Sequence, residues 1–92
     1  MRLIVKAPFH EDETLMLDNE YGAAMHDFIG PYVDNVRAVT VNGQLLKEWK
    51  EYVPLKNDRI ELFVEAGLGA LVGVLINLII SFALSMIMQP LF

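Results

Sequence analysis

The 92 residues allow one domain, or one small domain with an appendage; 54% are hydrophobic, 21% are charged and the mean hydropathy is +0.39. Without cysteine there is no disulfide framework, thiolate metal site or cysteine nucleophile, and a net charge of −5 without a Lys/Arg cluster argues against a nucleic-acid partner. The 7 basic and 12 acidic side chains all lie between Arg2 and Glu65, so the chain divides into a polar segment, 1–65, and an uncharged tail, 66–92.

Leu3, Val5 and Ala7 alternate with Ile4 and Lys6, the period of a half-buried strand. The same run is too short for a secretory signal, and acidic residues follow it. Thr14-Leu15-Met16-Leu17 resumes the alternation, which predicts a hairpin over 2–17. Tyr21, Met25, Phe28 and Ile29 then fall on one helical stripe, with Asp18 or Asn19 as the cap. Gly30-Pro31 is a stop for that helix. Residues 36–41 are β-branched and lead into Asn42-Gly43, a dipeptide that favours positive φ and marks a tight hairpin. Trp49 and Tyr52 sit in an irregular stretch ending at Pro54, where they are expected to cover the edge of a small core. Lys56-Asn57-Asp58 reads as a turn. Residues 59–65 alternate, with Ile60, Leu62 and Val64 on one face. The predicted class is α+β, a mixed sheet wrapped around one helix.

The runs Val39-Thr40-Val41-Asn42-Gly43, Pro54-Leu55-Lys56-Asn57-Asp58-Arg59-Ile60-Glu61-Leu62 and Gly67-Leu68-Gly69, with Trp49 between, resemble the sulfur-carrier branch of the β-grasp (ubiquitin-like) fold. The resemblance implies a β-grasp domain over 1–65, expected to fold without the tail. It does not carry over the carrier chemistry. A carrier needs a free terminal Gly-Gly carboxylate, whereas Leu68 separates Gly67 from Gly69 and the chain continues beyond them.

The tail predicts one long apolar C-terminal α-helix. Its run 66–88 would be about 35 Å long at ~1.5 Å per residue, against a hydrocarbon core of ~30 Å, so a membrane span and an oligomer core are both open. Within it Gly69, Gly73, Asn77, Ser81 and Ser85 recur every fourth residue. Small side chains let helices approach closely, and Asn and Ser can hydrogen-bond across the contact, so these five are the candidate self-association residues.

No catalytic constellation accompanies them. His10 and His26 lack metal-ligand spacing, Ser81 and Ser85 have no histidine nearby, and no phosphate-cradling glycine loop is present. Neither an enzyme activity nor a cofactor or metal is expected. A non-catalytic domain joined to a self-associating helix is similar in architecture to the tail-tip assembly and hub proteins of tailed bacteriophages. The residues that carry this are the Asn42-Gly43 hairpin, the Asn57-Asp58-Arg59-Ile60 strand entry and Gly67 to Gly73. That resemblance implies a virion component docking on other tail-tip or hub proteins. Its helices would bundle as a homo-oligomer, a trimer favoured, to plug the tail lumen or enter the host membrane during genome ejection. The alternative is a C-terminally anchored membrane protein with a cytoplasmic interaction domain, because Lys47, Lys50, Lys56 and Arg59 precede the span and no basic residue follows it.

Overall fold

A computed structural model describes residues 1–65 and 72–88. The alternating segments become strands: β1 (Arg2–Lys6), β2 (Glu13–Met16), β3 (Val36–Val41), β4 (Gln44–Leu45) and β5 (Arg59–Val64). They form one sheet in the order β2-β1-β5-β3-β4. At its centre β1 runs parallel to β5, pairing Leu3 with Ile60 and Val5 with Leu62; every other pairing is antiparallel. A parallel pair needs a long crossover. Here that connection carries α1 (Met25–Ile29) and the 3₁₀ helix Gly30–Asn35. A bulge between Val36 and Ala38 interrupts β3 and leaves Arg37 exposed.

Alternation sorts each strand into two faces. Leu3, Val5, Val39, Ile60, Leu62 and Val64 point inward and are buried with Met25, Phe28 and Ile29 of α1 and with Trp49. Each such side chain contributes about 1.5–3 kcal/mol when taken out of water. The helical stripe is shorter than its sequence pattern: Tyr21 lies outside α1 and is exposed. Asn19 does not cap the helix, whose first turn follows Ala24 without a side-chain cap. Its amide instead bonds both the N–H and the carbonyl of Ala23, and donates to the Pro54 carbonyl.

The expected ubiquitin-like unit with one long apolar appendage requires correction. The structure is a small α+β domain with a mixed five-strand sheet and a C-terminal helix, α2 (Val72–Met88), of 17 residues. Among the described residues no helix is long and apolar enough to cross a membrane. The physical reason lies in the spacing of the buried positions. Val72, Leu75, Ile79, Ala83 and Met86 follow one helical stripe and join the same buried cluster as the sheet. Phe82 meets Phe28 of α1 edge to face, with ring centroids 5.0 Å apart and planes at 79°. Gly30 ends α1 at φ +61, and a Cβ there would lie 3.3 Å from Leu78 Cδ2. Glycine at this corner therefore serves both the backbone turn and the close approach of α2.

Asn42 and Gly43 adopt φ of +53 and +86, the left-handed pair that a two-residue hairpin between β3 and β4 requires. Among the described residues, nothing beyond the glycine and its two chain neighbours lies within 4 Å of a Cβ placed at Gly43. Gly43→Val is therefore expected to lower stability by backbone strain alone, about 1–3 kcal/mol in a denaturant melt. A melt unchanged by the substitution would contradict this turn geometry.

Candidate assembly surface

With its apolar stripe turned inward, α2 presents Gly73, Val74, Asn77, Ser81, Leu84 and Ser85 outward, all exposed. Four of the five candidate self-association residues thus lie together along one side, facing solvent. Gly69 lies outside the described residues. The outer side carries no charge, whereas the solvent face of a surface helix ordinarily does. Ser85 Oγ donates to the Phe82 carbonyl at 2.7 Å, a local bond that leaves its second lone pair outward. Beside the stripe runs an open groove of about 550 Å³ between α2 and the end of α1. Asp27, Gly30, Val74, Asn77, Leu78, Ser81 and Phe82 line it. This surface can pack against another helix and exchange amide or hydroxyl hydrogen bonds. It holds no nucleophile–base pair.

The titratable groups are concentrated elsewhere. Asp58, only 7% exposed, sits where the turn before β5 meets the β3–β4 hairpin. Its Oδ2 accepts from Tyr52 Oη and from the Leu55 N–H at 2.9 Å, and its Oδ1 accepts from Asn42 Nδ2 at 2.9 Å. Asn42 Oδ1 in turn accepts from the Arg59 N–H at 2.9 Å, so one carboxylate and one amide tie two turns to β5. Burial pushes the Asp58 carboxyl up, but the bonds from Tyr52, Leu55 and Asn42 together outweigh it and hold the group below its ordinary value of 3.8. The hydrogen bond to Asp58, with burial and the carboxylate charge, pushes the Tyr52 hydroxyl up to about 12. Nothing in the local sequence advertised this knot. The available signal was an Asn and an Asp at the mouths of two turns, where short polar side chains bond nearby backbone.

On the sheet face away from the helices, Glu61 accepts from Lys6 Nζ at 2.9 Å and Thr40 Oγ1 at 2.9 Å, with Arg59 at 3.5 Å. The bond to Lys6 lowers the Glu61 carboxyl, and the same bond raises the Lys6 ammonium. His10 Nδ1 lies 2.8 Å from the Glu11 carbonyl, and His26 stands 3.3 Å from Asp27. Among the described residues no group of three or more His, Cys, Asp or Glu side chains is placed to hold a metal ion. Neither a family model, a curated protein nor a solved structure matches the chain.

Proposed function

We propose that this chain is a structural, non-catalytic component of a bacteriophage tail tip, packed against its neighbours through the outer side of α2. One observation carries the assembly part of this reading: the solvent side of α2, Gly73 through Ser85, is uncharged and flanked by the exposed apolar Val74 and Leu84. Such a face is stabilised by being covered. The tail tip is the assembly named by the architectural resemblance of the Asn42-Gly43 hairpin, the strand entry at Asn57-Asp58-Arg59-Ile60 and the glycines leading into α2. The helices of several copies would meet at Gly73, Asn77, Ser81 and Ser85 on the tail axis, while the sheet side docks on the hub. The reading uses no lipid contact.

The test is composition of the particle. Virions of the phage encoding the chain, purified through a density gradient, should contain it at a fixed ratio to the tail-tube protein. Asn77→Leu should lower that ratio, because it removes the amide and keeps a similar volume. Presence in infected cells with absence from purified virions would contradict the proposal.

A further inference from the structure

The two ends of the β1–β2 hairpin are unlike and complementary. At the tip, Ala7 to His10 form a turn closed by the His10 N–H on the Ala7 carbonyl at 3.2 Å. Phe9 stands at its third position with φ +61, where glycine or asparagine is the usual occupant. It is also fully exposed. A bulky aromatic held in a strained backbone, with its whole ring in water, gains nothing within this chain. Glu11, Asp12 and Glu13 follow it. Asp12 is 3.7 Å from Lys6, whereas Glu11 and Glu13 make no ion pair among the described residues.

At the opposite end of the same two strands, where Arg2 pairs with Met16 and with Arg59, is a cleft of about 320 Å³. Met16, 71% exposed, gives it an apolar floor over the buried Met1, and Arg2, Lys56 and Arg59 give it a cationic rim, with Arg59 also 3.5 Å from Glu61. Asp58 lines it too, but its carboxylate is taken up by Tyr52, Leu55 and Asn42. Methionine is an adaptable partner for an aromatic ring. β1 alone separates the two features by about 13 Å at ~3.3 Å per residue, so the tip cannot reach the cleft of its own chain.

We propose that copies of this chain associate head to tail, the Phe9 ring of one seated on Met16 of the next. Glu11 and Glu13 then face the Arg2, Lys56 and Arg59 rim. The occupant is a second copy because apolar anchor and apolar floor, acidic flank and basic rim all match within one sequence. A contact between two different patches is heterologous: it closes into a ring or extends as a filament, according to the rotation between copies. It uses none of the α2 stripe and stands independently of the tail-tip reading.

The absence of native cysteine makes a direct test simple. Full-length His10→Cys and Asn57→Cys chains place one thiol beside the tip and one at the rim, both on exposed turns. Mixed under mild oxidation, the pair should form its disulfide heterodimer at least about tenfold faster than either chain pairs with itself, since contact raises the local thiol concentration. Adding Phe9→Gly to the His10→Cys chain should erase that advantage while its melting temperature holds or rises, because glycine relieves the positive φ. Adding Met16→Glu to the Asn57→Cys chain should erase it as well. Equal rates for mixed and self pairs would overturn the proposal, and so would an advantage that survives Phe9→Gly. An oligomer insensitive to Phe9→Gly but lost with Asn77→Leu would place association on α2 and overturn it too.

Discussion

Leu75→Ala is expected to lower stability by about 2–5 kcal/mol, the cost of emptying a fully buried position of α2. Leu75 has no exposed surface and lies in the cluster that contains Phe28, Ile29 and Ile79. Removing its side chain leaves a cavity in that cluster, and a close-packed interior relaxes only partly into it. The sole tryptophan, Trp49, is buried in the same cluster and reports the urea transition by fluorescence. Asn77→Leu, two positions further along and exposed, should change the unfolding free energy by less than about 0.5 kcal/mol. This contrast separates the two sides of the helix. Equal effects at both positions would mean that α2 does not pack as described.

Asp58→Ala is expected to cost about 2–4 kcal/mol, because it strands the Tyr52 hydroxyl, the Leu55 N–H and the Asn42 amide at once. Asp58→Asn should cost less, since one acceptor oxygen remains. The knot also fixes the pH dependence. Because the folded Asp58 carboxyl lies below 3.8, its contribution is present above that pH and is lost as the pH falls through the lower folded value. The Tyr52 hydroxyl behaves in the opposite sense. Its folded value is raised from 10.0 to about 12, so its contribution is full below pH 10 and is lost as the pH climbs towards 12. Ultraviolet titration should show a tyrosine step near pH 12, and Tyr52→Phe should abolish it. If Tyr52→Phe left the titration curve above pH 11 unchanged, the Tyr52–Asp58 bond would not exist in solution.

The strands were legible because a half-buried strand writes its two faces directly into the sequence. Leu3 and Val5, and then Ile60, Leu62 and Val64, alternate and are buried as alternation requires. The Asn42-Gly43 turn was legible for a local reason as well, since few residues tolerate successive positive φ. What lay outside local pattern was missed. β4 is only Gln44–Leu45, too short to show a period. A mixed sheet was expected, but not which strands run parallel: β1 and β5 lie far apart in the chain, and no local signal pairs them. Asp58 draws its partners from positions 42, 52 and 55, so its importance emerges only after folding.

The tail shows how an average can mislead. Mean apolarity over 66–88 suggested a span, while the spacing of Val72, Leu75, Ile79, Ala83 and Met86 already held an inward stripe. The recurring Gly73, Asn77, Ser81 and Ser85 were legible as a stripe, and the structure places these four on the side away from the core. Their proposed role follows from what they lack, which is charge. Trp49 was expected at the edge of a small core and is instead a member of it, at 7% exposure.

The central claim is that α2 is a layer of the domain, with its outer side left for assembly. Amide hydrogen exchange on the full chain, in buffer free of detergent and lipid, tests it most directly. The account predicts that amides of Leu75, Ile79 and Ala83 exchange only through the same global opening as those of Val5 and Leu62, with matching free energies. Fast exchange along α2 while the sheet stays protected, or protection that appears only when detergent is added, would contradict it.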